Sequence, residues 1–101
     1  MPKLYNYFGI VVMFYSNEHE PIHVHGKYQG YETRAEIIVV NGLVQQITYS
    51  PTAGRAPLPT TQQRYFEELV ESRAIAIVDK WIDFFVLNKP VHSETIARRI
   101  K

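Results

Sequence analysis

Three of the chain's four histidines, His19, His23 and His25, fall within seven residues at spacing His-x3-His-x-His. Imidazole changes charge near neutral pH and is the commonest metal ligand, so a cluster of three invites proton transfer or ligation. From Ile22 onward apolar and polar residues alternate, the period of a strand with one face in water and one in a core. Gln29-Gly30 then reads as a two-residue hairpin turn. That turn sets Tyr28 across from Tyr31, Lys27 from Glu32, His25 from Arg34 and His23 from Glu36. The polar face so formed carries His23, His25, Lys27, Glu32, Arg34 and Glu36.

Two chemistries suit such a face. Metal-independent RNA cleavage needs a general base, a general acid and a cation for the phosphorane charge. His23, His25, Arg34 and Glu36 (or Glu32) supply the catalytic parts, while Lys27, Tyr28 and Tyr31 supply phosphate contact and base stacking. The alternative is a metal site. His19, His23 and His25 would give three nitrogen ligands to zinc or another divalent transition metal, with Glu36 or Glu32 as a fourth ligand or a support. A plainer account also stands: polar alternation on an exposed strand, with Lys27–Glu32 and His23–Glu36 as opposite-charge neighbours contributing ~0.2–1 kcal/mol each. His25 opposite Arg34 fits that account least well, because two cations side by side disfavour imidazole protonation unless an anion binds. The third possibility is a non-catalytic protein-interaction module.

These residues must be positioned by a small sheet. Residues 10–15 are β-branched and aromatic and read as a first strand, with Gly9 at its start. Residues 16–21 form a turn through Asn17 and Pro21. Two strands of the histidine hairpin follow, the second reaching Val40. Asn41-Gly42 is the strongest hairpin signal in the chain and leads to a fourth strand over 43–49. The expected fold is α+β, a four-stranded antiparallel meander packed on one long or broken C-terminal helix.

The sheet region spans 8–49, a Pro- and Gly-containing loop 50–60, a helical region 61–87 and a tail 88–101. Thr60 or Thr61 would cap the helix. After Ser72 apolar residues cover most of its circumference, so it either breaks near Ser72-Arg73 or buries that half against another chain. Burial on the sheet plus a homodimer contact through Ile75, Val78, Ile82 and Phe85 is the expectation. Ser93 would cap a short final helix over 94–100, and Arg98, Arg99 and Lys101 would be a solvated end.

At 101 residues and 46% apolar content the chain is one folded domain. Eleven basic against ten acidic side chains argue against a general polyanion-binding surface. The lack of cysteine excludes disulfides, thiolate metal sites and a cysteine nucleophile. No apolar run is long enough to span a bilayer, and the first eight residues lack the features of a signal peptide, so the expected location is cytoplasmic.

Phe14-Tyr15-Ser16-Asn17-Glu18-His19-Glu20-Pro21-Ile22-His23-Val24-His25 resembles the signature of the small prokaryotic proteins called domain of unknown function 4160. That signature has an aromatic strand, a polar turn, then His-x-Pro-Pro-His-[aromatic or Val]-His. His19, Pro21, His23 and His25 match it, and Ile22 stands where the second proline is usual. The likeness covers residues 3 to 40 best, and the helix with Arg73 and Trp81 resembles the family's closing helix. It implies an uncharacterised bacterial protein of toxin–antitoxin type, with a cognate small protein as partner and RNA as target.

Overall fold

Three two-residue turns fold the first half of the chain. Phe8-Gly9, Gln29-Gly30 and Asn41-Gly42 each hold two successive residues at positive φ, the type I′ geometry whose twist matches that of paired strands. The computed structural model describes residues 2–15 and 21–100. Its strands are β1 (Lys3–Tyr7), β2 (Ile10–Met13), β3 (His23–Tyr28), β4 (Tyr31–Val40), β5 (Leu43–Pro51) and β6 (Glu94–Ile96). They form one six-stranded sheet in the order β5-β4-β3-β2-β1-β6. All neighbours are antiparallel except β1 and β6, which pair in parallel.

The fold is therefore α+β, and two points of the expected architecture need correction. The meander β2–β5 is present, but the sheet has six strands rather than four and is mixed. β1 escapes a sequence reading because its turn places Phe8, a bulky aromatic, at φ 49, where Asn, Asp or Gly is usual. Residues 94–96 form a strand instead of starting a helix, because the open edge of β1 offers hydrogen bonds that their own sequence does not signal.

Helix α1 (Thr60–Ser72) follows Pro59, and no side chain caps its start; the Gln63 N–H donates to the Pro59 carbonyl at 2.7 Å. The expected threonine cap is absent, since Thr60 is already the first helical residue and the Gln63–Pro59 bond is the helix's first ordinary rung. Arg73, at φ −114 and ψ 16, separates α1 from α2 (Ala74–Trp81), and a π-helical turn over Ile82–Val86 completes the helical region. The break has a packing reason. α1 buries Phe66, Leu69 and Val70, whereas α2 must redirect its axis to bury Ala74, Ile77 and Trp81.

Both helices cover the sheet face that carries Val12, Val24, Ala35 and Ile37, and the core lies between. At Gly26 the approach is so close that a Cβ would sit 2.6 Å from Phe66 Cδ1. Of the four residues expected at a dimer contact, Val78 and Phe85 pack on the chain's own core, whereas Ile75 and Ile82 are exposed. Among the described residues no helix is long and apolar enough to cross a membrane.

The tail is anchored at several points, although Arg98 and Arg99 stay exposed as expected and Lys101 lies outside the described residues. β6 lies on β1, Arg99 Nη2 donates to Glu68 Oε2 at 2.9 Å, and the Ile100 N–H donates to the Tyr7 hydroxyl at 2.9 Å.

Candidate functional site

The pleat sends alternate residues of β3 and β4 to opposite faces, and the register is the one the hairpin dictates: Tyr28 across from Tyr31, Lys27 from Glu32, His25 from Arg34 and His23 from Glu36. His23, His25, Lys27, Glu32, Arg34 and Glu36 thus share one face of the strand pair, with His23 at the start of β3 reaching Trp81 at the end of α2. Tyr28 and Tyr31 do not. They project with Gly26 and Thr33, and Tyr28 packs against the core, so the sheet itself separates both tyrosines from Lys27.

The expected strand is far from solvated at its centre. His25 is 4% exposed, Glu32 1% and His23 8%. His25 Nδ1 lies 3.0 Å from Glu32 Oε2, a diagonal contact that bypasses the directly opposed Arg34. A carboxylate accepts only, so in the neutral ring Nδ1 carries the proton. His23 follows the same rule, its Nδ1–H donating to the Pro21 carbonyl at 2.7 Å. Both imidazoles are thereby pinned through Nδ1, which makes Nε2 the nitrogen through which each would exchange a proton or bind a metal. The rings lie 5.3 Å apart at 74°, and His23 also packs on Trp81 at 5.5 Å.

Glu32 is the hub of the face. The Tyr15 hydroxyl donates to its two oxygens at 3.0 and 2.9 Å, and the Tyr15 ring stands edge-on to His25 at 4.5 Å. Thr52 Oγ1 approaches His25 Nδ1 at 3.4 Å, and the Glu32 N–H donates to the Ala56 carbonyl at 2.9 Å. Burial alone would raise the Glu32 carboxyl pKa. Hydrogen bonds from Tyr15 and Thr52, with the charges of His25 and Lys27, outweigh it and hold the pKa below the ordinary value. Glu32 is accordingly the carboxylate that orients a histidine.

Glu36 serves Arg34 instead. Arg34 Nη2 and Glu36 Oε1 are 3.4 Å apart, each side chain about one-third exposed. Among the described residues, Arg34 Nε is the one buried side-chain nitrogen or oxygen without a hydrogen-bond partner. Lys27 Nζ lies 5.8 Å from the Tyr15 ring centre. His19 lies outside the described residues. Among those described, no group of three or more His, Cys, Asp or Glu side chains gathers as a metal would require.

Sequence reasoning missed Tyr15 and Thr52. Tyr15 was within reach of the period-two rule, since Val11, Met13 and Tyr15 alternate with the core residues Val12 and Phe14. Thr52 gives no such signal, because it arrives from the loop after β5.

The family model described as "Domain of unknown function (DUF4160)" matches residues 9–82, a span that holds β2 to β5, α1, α2 and the whole histidine face. No curated protein and no solved structure matches the chain.

Proposed function

The chain belongs to the domain-of-unknown-function 4160 family, and we propose that it acts on or binds RNA through the histidine face, as a cytoplasmic toxin–antitoxin-type component held in check by a cognate small protein. The observation that carries this reading is the buried His25–Glu32 pair at 3.0 Å. A carboxylate behind Nδ1–H fixes the tautomer and stabilises the imidazolium that forms when Nε2 takes a proton.

In that role His25 removes the proton of a ribose 2′-hydroxyl. The 2′ oxygen attacks phosphorus, the bond to the 5′ oxygen breaks, and His23 returns a proton to the leaving oxygen. The products are a 2′,3′-cyclic phosphate and a free 5′-hydroxyl, with no other reactant consumed. Lys27 and Arg34 supply positive charge for the phosphorane, and Glu36 holds Arg34 in place. Cleavage of a single-stranded RNA in EDTA, lost in His25→Ala, is the test.

A second reading has its own support. Metal-ligating histidines characteristically donate Nδ1–H to a carbonyl or carboxylate, as His23 and His25 do. With His19 they would bind zinc or another divalent transition metal through Nε2. Zinc titration of wild type and the His23→Ala/His25→Ala variant tests it: one equivalent bound by the first and none by the second supports the metal site. A non-catalytic interaction module would show neither activity nor metal, and would keep its partner in that variant.

A further inference from the structure

Over the edge strand β5 the helix layer leaves two clefts in line, which together form an interrupted groove. The interruption is the point where Tyr49 meets Phe66 and its hydroxyl donates to Glu71 Oε2 at 3.4 Å. At one end a cleft of about 520 Å³ has Tyr49, Pro51 and Leu58 as its apolar part and Gln63, Arg64 and Glu67 of α1 along its wall. At the other a cleft of about 530 Å³ has Val44 and Ile47 below, with Glu71, Arg73 and Asp79 beside them. Gln63, Glu67 and Glu71 recur every four residues, so they lie on one flank of α1. The clefts follow one another along β5, whose length is ~30 Å at the usual strand rise.

Three features define what fits. The floor is apolar, and it continues into Ile75 of α2, which is 73% exposed. The wall carries three carboxylates, Glu67, Glu71 and Asp79, against two guanidinium groups, Arg64 and Arg73. Glu71 and Glu67 also act on the floor itself: burial raises the Tyr49 phenol, and their charges raise it further. β5 itself has no charged side chain.

From the groove's shape and charge we propose that it docks an amphipathic helix of a partner protein, apolar toward β5 and bearing Lys or Arg toward Glu67, Glu71 and Asp79. A helix is favoured over an added strand because the opening lies over the sheet face. The register shift between Ile38 and Val39 also breaks the edge where an extra strand would pair. A second helix at the usual 8–10 Å spacing beside α1 would continue the helix layer over β5. A second copy of this chain fits less well, since it would bring the same acid-rich wall against itself. This surface lies on the opposite side of the sheet from the histidine face and does not depend on the RNA reading.

The test is an NMR titration of the isotope-labelled chain with two synthetic helical peptides. Both carry leucine at i, i+3, i+4 and i+7; one has lysine on the flanks and the other glutamate. The lysine peptide is expected to shift the amides of Val44, Ile47, Glu67 and Asp79, and to weaken with salt. Its affinity should fall about tenfold, or ~1.4 kcal/mol, in Glu67→Gln/Asp79→Asn and again in Ile75→Ser, all at half-buried or exposed positions. Equal binding of both peptides, shifts elsewhere on the chain, or no shifts overturns the proposal. So does concentration-dependent self-association mapped to these amides, which would make a second copy the occupant.

Discussion

His25 makes its 3.0 Å contact with Glu32 and not with Arg34, the residue directly across the ladder. Diagonal neighbours on an antiparallel pair are farther apart than opposed ones, yet a glutamate and an imidazole span the gap. The geometry avoids placing two cations in contact and gives the imidazole an acceptor. Tyr15, on the neighbouring strand's extension, closes the arrangement from the other side of the same carboxylate.

Glu32 ties the site to the stability of the fold. Because folding lowers its carboxyl pKa from about 4.5, its stabilisation is complete above that value and is lost as pH falls through the folded one. Glu32→Gln should cost ~1–3 kcal/mol at pH 7 through lost charge-assisted hydrogen bonds. The gap to wild type should narrow below pH 4. Urea denaturation of both proteins at pH 7 and at pH 3.5, chosen to lie roughly one unit under the ordinary value, checks the sign; a gap that widens in acid contradicts it.

Gly26 is where the sheet admits α1. Gly26→Ala would set a Cβ 2.6 Å from a ring carbon of fully buried Phe66, and overpacking of this kind costs ~1–3 kcal/mol. Phe66→Leu should cost stability alone, but the double variant should be more stable than the sum of the two losses predicts. Additive losses in thermal denaturation would mean that the clash is relieved elsewhere.

Much of the hairpin was legible because its signals are local. Gln29-Gly30 and Asn41-Gly42 announce their turns, and period-two alternation from Ile22 then fixes the register of every cross-strand pair through Glu36. Phe8-Gly9 makes the same turn without announcing it, since nothing in a phenylalanine suggests positive φ. Strand β6 depends on β1, some ninety residues away, and no local pattern carries that pairing. At the site, residue types and facing were readable from spacing. The choice of Glu32 over Glu36, and the arrival of Thr52, depend on where other segments fold over the face.

The docked tail gives a third prediction. Glu68 is nearly buried in α1, and Arg99 meets both of its oxygens, at 2.9 and 3.4 Å. Arg99→Ala should lower Tm and speed hydrogen exchange at Glu94–Ile96, because β6 loses an anchor while the buried carboxylate loses its charge partner. In a Glu68→Gln background the same substitution should have a smaller effect on Tm. Equal effects in both backgrounds would show that Arg99 acts otherwise than through Glu68.

His23 and His25 are distinguished by what holds them. His25→Ala and Glu32→Gln should both impair activity, the first by ~10²–10⁴-fold as expected for loss of a general base and the second less, since Nε2 remains. Arg34→Gln should weaken RNA binding and its salt dependence, whereas Tyr31→Ala, on the other face, should leave both unchanged. Filter binding at two salt concentrations separates these outcomes.

The most direct measurement is cleavage of an end-labelled single-stranded RNA in EDTA by wild type, His25→Ala and Glu32→Gln, with Trp81 fluorescence confirming that each is folded. The account predicts fragments ending in a 2′,3′-cyclic phosphate from wild type, a near-complete loss in His25→Ala, a partial loss in Glu32→Gln, and no cut where the 2′-hydroxyl is replaced by hydrogen. Undiminished cleavage by folded His25→Ala, or none by wild type alongside no binding, would contradict it.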